Sequence, residues 1–243
     1  MVWEYRQLSA IQCSPLYALP RPTNETLLLS SRHAELTTSL FNFQLLSSDW
    51  ESSPTSALLS NLLLMYLHVS FDDLQLFAGK EGEEEARKIF TTLQTWATRR
   101  DCRQALYYAA QVLRAAKAFP RNYLKDFYAI AVHHASLAIW TYGVVTKATL
   151  RMHPPLVPNI GGQTYIFLDE QESLETQRFI AVPKGTPAIR GPNGEASMED
   201  PKSCMDVALG ILRGDGEEVS PIVENLCRMI KQLGLAASGV GLS

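Results

Sequence analysis

Cysteine is scarce in this chain and widely scattered. Cys13, Cys102, Cys204 and Cys227 form no C-x-x-C pair and have no histidine at finger spacing, so a structural zinc has no seat. Cys204 and Cys227 fall inside amphipathic patterns, where a thiol acts as a small buried hydrophobe, and reduced thiols suit an intracellular protein. Net charge is also nearly absent, −3 with a pI near 6.0. That argues against a free-standing nucleic-acid binder, which carries a basic excess. The opening MVWEYRQLSAIQ has no apolar core of a secretory signal, so the Asn24-Glu25-Thr26 sequon reads as chance. Beside the mostly apolar Ala57 to Phe71, the long uncharged run is Phe127 to Val145, 19 residues without Asp, Glu, Lys or Arg. That run falls just short of the ~20 a bilayer needs, and it carries His133, His134, Ser136 and Thr141. Ionisable groups are costly in lipid, so it reads as a buried protein helix and no membrane association is expected.

Catalytic signatures are missing as well. The five histidines, His33, His68, His133, His134 and His153, make no H-E-x-x-H. There is no G-x-S-x-G elbow, no kinase set and no dinucleotide fingerprint, and Gly161-Gly162 reads as a turn. The GKEG of residues 79 to 82 lacks the spacing of a phosphate loop and leads into carboxylates that would repel phosphate. Asp72-Asp73 and Glu217-Glu218 are adjacent pairs that read as solvated. No catalytic, cofactor-binding or metal-ligating residue is assigned, and no enzyme activity is expected. No repeat of 30 to 50 residues is present, which disfavours a solenoid.

What is there begins with a helical hairpin from Arg99 to Val145. In its first arm Ala105, Ala109, Val112, Leu113 and Ala116 make one apolar stripe, with Arg103, Gln111, Arg114 and Lys117 on other faces, so this arm is expected to pack by one side only. Pro120 breaks the helix. The second arm is apolar on most faces and reads as a central post, with Phe127 and Trp140 in the core. His134 shares a face with Ile130, Leu137 and Ala138, and is expected to be a neutral core imidazole bonded to a neighbouring helix. Arg99 to Lys125 holds seven cations against Asp101 alone, a solvated face or a docking patch for an acidic partner.

Upstream, residues 1 to 23 read as an irregular lead-in. Leu29, His33, Leu36, Leu40 and Phe43 then recur at helical spacing before a Ser-rich loop. Ala57 to Phe71 reads as a buried helix with His68 a satisfied core group. Glu83, Glu84 and Glu85 open a further helix, where the partial positive charge of the N-terminus favours carboxylates by about 0.3–1 kcal/mol each. Downstream, seven of thirteen prolines lie between Pro154 and Pro201. Within this stretch Tyr165 to Leu168 reads as a short extended run and Ser173 to Ala181 as a helix, while Pro183 to Asp200 reads as a flexible surface loop. Two capped helices close the chain. Asp200-Pro201 starts one with the stripe Cys204, Val207, Ala208, Ile211 and Leu212. Ser220-Pro221 starts the other with Ile222, Leu226, Met229, Ile230 and Leu233, and Gly234 as its C-cap.

Five phrases, in order, carry a resemblance: SFDDLQLFAGKEGEEEAR, RQALYYAAQVLRAAKAF, DFYAIAVHHASLAIWTYGVV, YIFLDEQESLETQRFIA and SPIVENLCRMIKQLG. From about Leu58 to Gly234 the chain resembles the C-terminal part of the fungal-specific transcription factor domain, the large all-helical region of regulators with zinc-finger DNA-binding domains. The resemblance implies a nuclear regulator whose helical region modulates activity, dimerises or senses a signal. Family members carry fingers ahead of this region, and no cysteine cluster here forms one. The resemblance also sets Met1 inside the domain, leaving a fragment, a truncated product or a finger-less partner of a complete factor as readings.

The expected fold is thus all-α: an irregular helical array around a central buried helix, with a Pro-rich loop region and two C-terminal helices. Residues 1-150 form the helical core region, 151-200 a Pro/Gly-rich excursion and 201-243 a helical pair packing on the core. The expected function is transcriptional regulation in the nucleus without autonomous sequence-specific DNA binding, through a protein partner, either a related factor or a second copy. A helical scaffold outside transcription and a small-molecule enzyme are the alternatives. No cofactor is implied.

Overall fold

The computed structural model describes residues 23–46, 53–120, 123–154, 164–191, 194–214 and 220–239. These form nine helices and three short strands: α1 (Thr23–Leu46), α2 (Pro54–His68), α3 (Phe71–Phe77), α4 (Glu83–Thr98), α5 (Arg100–Lys117), α6 (Asp126–Met152), β1 (Tyr165–Phe167), α7 (Leu174–Ala181), β2 (Thr186–Gly191), β3 (Gly194–Ser197), α8 (Pro201–Arg213) and α9 (Pro221–Gly239). The fold is mostly α, as expected. Residues 1–22 of the lead-in, residues 47–52 of the Ser-rich segment and Gly161-Gly162 lie outside the described residues; the end of the Ser-rich segment is helix instead of loop, with Ser53 capping α2 and Pro54 opening it.

The hairpin is α5 and α6, and α6 is the post. It touches α2, α3, α4, α5, α8 and α9, and from Ala129 to Val145 its residues are buried on almost every side. Apolar faces all round can be hidden only by helices all round. Trp140 sits at the centre, 5% exposed, its ring 5.5 Å from that of Phe77 and its indole N–H donating to the Leu233 carbonyl at 2.8 Å. One glycine sets how closely α6 is approached. A Cβ on Gly143 would lie 2.6 Å from the Met198 carbonyl oxygen and 3.1 Å from Pro201, so only glycine lets the start of α8 seat there. Phe127 departs from expectation: it is 51% exposed, because α6 begins a full turn before its neighbours cover it.

The largest departure is in the stretch expected as a loop. Thr186 to Ser197 instead folds into β2 and β3, which pair antiparallel, and β1 joins parallel to β2 in the order β1-β2-β3. Prolines hid the strand. Pro187 sits inside β2 opposite Ile166 of β1, and proline inside a run argues against a strand. Both faces of β2 are also covered, with Thr186 to Ile189 all buried, so the alternation that marks a half-buried strand never arises. The sheet lies close on α8, where a Cβ on Gly191 would meet Val207 Cγ2 at 2.5 Å.

The C-terminal helices pack on each other and on α6, with three corrections. Pro201 is at the first turn of α8, but the Asp200 carboxylate makes no cap bond to a backbone N–H and instead accepts from Ser203 Oγ. On α9 the buried stripe is Val223, Leu226, Cys227 and Ile230, while Ile222 and Met229 are exposed. The pattern is turned about one residue from the expected one, because α9 buries its side toward both α8 and α6. Gly234 is no C-cap. The helix continues past it to Gly239, and Gly234 provides a small contact for Met205, whose Cβ lies 3.4 Å from a built Cβ.

Replacing Trp140 by Ala is expected to lower unfolding stability by about 3–5 kcal/mol through the cavity and the lost indole bond. Phe127→Ala is expected to cost less than about 1 kcal/mol, as surface changes do. Chemical denaturation of both variants checks the pair, and equal losses would contradict the burial described.

Candidate functional site

The basic stretch was expected to be solvated or to face a partner, and α5 to pack by one side only. Arg99, Arg100, Arg114, Lys117 and Lys125 are exposed, as a solvated face requires, whereas Arg103 and the one-sided packing of α5 are corrected. Arg103 and Gln111 are buried, 7% and 8% exposed, on a second face of α5 that receives the β1–α7 segment and its sheet. Arg103 Nε and Nη2 donate to the carbonyls of Ile180 and Ala181, at 3.0 and 3.4 Å, and Nη1 to that of Thr98. Ile180 and Ala181 end α7. A helix's last carbonyls lack partners and carry partial negative charge, so a guanidinium there both caps and neutralises.

Gln111 extends the same grip. Its Nε2 donates to the carbonyls of Leu168 and Glu170, each at 2.7 Å. Further along, Lys117 Nζ lies 2.6 Å from Asp169 Oδ2 and also donates to the Arg190 carbonyl. Asp169 is nearly buried and accepts the backbone N–H of Arg190 with both oxygens, at 3.1 and 3.0 Å. Its position next to β1 ties that strand's end to β2 and to α5 at once. Above it the Arg190 guanidinium pairs with Glu170 and rests 4.0 Å from the Phe167 ring centre. Sequence reasoning missed these roles for a simple reason: the acceptors are main-chain carbonyls more than fifty residues away, and no residue type announces them.

The second polar cluster joins α1, α2 and the start of α5. His68 is buried with its ring stacked 5.7 Å from Tyr108 and edge-on to His33 at 5.0 Å. It was expected to be a satisfied core group, and it is not. Neither ring nitrogen has a hydrogen-bond partner, and Asp101 Oδ1 is 3.9 Å from Nδ1, too long for a hydrogen bond. The packing surface around His68 is aromatic, which leaves it little to bond to. His68 holds the Asp101 carboxyl below the usual range against the effect of burial, with Arg99 adding to it. Burial lowers the pKa of His33, His68 adding and Asp101 opposing.

A third cluster stands on α6. His134 Nδ1 is bonded to the Tyr66 hydroxyl of α2, and the ring lies 3.8 Å from that of Phe71, as the expectation of a bonded core imidazole required. Burial, helped by neighbouring His133, pushes the His134 pKa down to about 3, and burial lowers His133 as well. His133 Nε2 and Thr141 Oγ1 are buried without a hydrogen-bond partner.

These groups suit packing better than chemistry at a solvent-reached site. Among the described residues no set of three His, Cys, Asp or Glu is arranged to hold a metal ion, and no helix is long and apolar enough to cross a membrane. Cys102, Cys204 and Cys227 are free and buried, and desolvation raises all three thiols, the opposite of an activated nucleophile. Comparison of the chain with family models, with curated proteins and with solved structures finds no match.

Two expectations follow. Asp169→Ala strands Lys117 and the Arg190 N–H, and is expected to cost about 3–5 kcal/mol as for other broken buried pairs. Hydrogen exchange in that variant should quicken first in residues 164–191, and uniform exchange would count against the pin. The second concerns pH. A histidine whose folded pKa is about 3, against ~6.5 unfolded, is neutral when folded, so the unfolded chain binds the extra proton between those values. Stability is complete above about pH 6.5 and falls as pH drops toward 3, by about 2 kcal/mol between pH 7.5 and 5 from His134. His134→Gln, which cannot titrate, is expected to flatten the pH profile of the denaturation midpoint over that range. An unchanged slope would mean that His134 is not held neutral.

Proposed function

We propose that this chain is a transcription-regulatory helical region of the fungal-specific transcription factor domain type, acting in the nucleus through a protein partner and without sequence-specific DNA binding of its own. The observation that carries the reading is where the five resembling phrases fall. They cover α3 with the start of α4, most of α5, α6 through Val145, β1 with α7, and most of α9. The helices among these all pack on α5 or α6 or are one of the two. The resemblance therefore lies in the framework that forms the core rather than in surface loops that vary freely.

The fate of the cations supports the DNA-free part of the reading. Of the seven between Arg99 and Lys125, Arg103 is buried on carbonyls, Lys117 is paired with Asp169, and Arg99 is paired with Asp101 at 3.0 Å. Phosphate binding needs cations free to release counterions along a continuous surface. A helical scaffold outside transcription is the second reading, and nuclear entry separates the two.

Fusing the chain to an unrelated DNA-binding domain tests the proposal. Reporter output is expected to change severalfold, a tagged chain to enter the nucleus, and a gel shift at low salt with random duplexes to give no saturable complex. Saturable binding of one duplex sequence, or a cytosolic chain inert when tethered, would overturn the reading.

A further inference from the structure

Helix α1 is apolar on two opposite sides. Its inward side buries Leu36 against α2, with Leu29, His33 and Leu40 partly covered beside it. At 100° per residue, Leu27, Ser31, Ala34, Thr38, Phe41 and Leu45 all point within about 40° of the direction opposite Leu36. Every one of the six is exposed. Leu27, Phe41 and Leu45 are 61%, 42% and 82% exposed. Their spacing alternates four and three residues, the seam of a coiled coil. A monomer gains nothing by placing such a seam outward.

We propose that this outward seam of α1 is a self-association surface, on which a second copy of the chain lays its own α1 antiparallel, with Leu36 at the level of the two-fold axis. Three observations choose a second copy over another occupant. The seam is self-complementary in that direction: Leu27 meets Leu45 of the other copy, Phe41 meets Ser31, and Ala34 meets Thr38. The bulkiest residue thus faces a small one, and the small pairs at the centre let the helices close. No formal charge lies on the seam, and the flanking Arg32 and Glu35 are already paired within the helix at 2.9 Å, so like charges do not oppose the contact. The area fits a weak contact. At roughly 200 Å² for a fully exposed large side chain, Leu27, Phe41 and Leu45 supply on the order of 300–400 Å² per copy, and the exposed Ser31, Ala34 and Thr38 add to it. Two copies stay near or below the ~1,000 Å² of a specific interface, in the range of transient pairs. That predicts a dimer that forms and parts readily. The inference names a surface that the proposed function leaves open, and the two fail separately, since a monomeric chain could still regulate a reporter.

The experiment uses the full chain. Light scattering after gel filtration is expected to give twice the 27.1 kDa chain mass at ~50 µM. Leu27→Lys with Leu45→Lys sets like charges opposite each other and is expected to weaken the dimer at least about tenfold, with unchanged helicity. In a Cys13→Ser background, mixing a Leu27→Cys chain with a Leu45→Cys chain is expected to yield a disulfide-linked pair that neither forms alone. A wild-type monomer at ~100 µM, a dimer indifferent to the lysines, or cross-links of 27 to 27 would each overturn the proposal. So would a lysine variant that loses helicity, because the seam would then serve the chain's own fold. A monomer from which the lysines release a different bound protein would assign the face to that partner and overturn self-pairing too.

Discussion

A chain segment that runs irregularly beside a core brings backbone carbonyls that water can no longer reach, and each one left unpaired costs about 1–3 kcal/mol. Residues 164–191 hold such stretches between β1, α7 and β2, and the structure depends on how their carbonyls are met. Arg103, Gln111 and Lys117, spaced along one face of α5, donate to Ile180, Ala181, Leu168, Glu170 and Arg190. Side chains with several donors suit this task, because one guanidinium or amide meets two acceptors at once. Once α5 is gripped on that face and packed by α2 and α6 on the other, most of its residues are buried, which its composition alone does not suggest. The sheet follows from the same constraint: Asp169, held by Lys117, accepts from Arg190 and so orders β2 beside β1.

The opposite side of the hairpin is governed by neutrality instead. The post α6 buries two adjacent histidines where a charged ring would be unsolvated, and α2 brings a third against Tyr108. Only His134 has a good partner there, in the Tyr66 hydroxyl. The two rings of α6 contribute shape and apolar contact so long as they carry no proton, and the clustering of His33, His68 and Asp101 ties α1 and α2 to the start of α5. The core therefore combines a polar seam satisfied by donors with an aromatic seam that tolerates orphans.

The parts of the fold that were legible in the sequence are those where periodicity and breakers act locally. The hairpin around Pro120, the acidic first turn of α4 after Gly82 and the helix within Ser173 to Ala181 stand as read, and the apolar run from Ala57 is helical as far as His68. What escaped has non-local causes. The β2 strand was concealed by its prolines and by burial of both faces; the turn of the α9 stripe depends on two neighbours instead of one; Gly234 looks like a terminator until Met205 is known to lie against it. Arg103 and Gln111 were read as surface because a polar residue opposite an apolar stripe ordinarily is, and nothing local distinguishes a side chain meeting water from one meeting a distant carbonyl.

Counting what remains on the surface narrows how such a body can act. The carboxylates of the α4 start pair with Arg87 and Lys88 at 2.6 to 3.4 Å, so that end presents little net charge to a partner. Arg99, Arg103 and Lys117 of the basic stretch are engaged within the chain, Cys102, Cys204 and Cys227 are buried, and His133 and His68 are covered. Exposed reactive chemistry is thus scarce among the described residues. Apolar contact is not, and among the described helices α1 stands out in offering it in a regular array opposite the side that anchors it. Because α1 touches the body mainly through α2, beside the His33 and His68 rings, a partner bound on its outer face would act on the element that covers the aromatic seam. Recognition outside and packing inside thus meet on one helix.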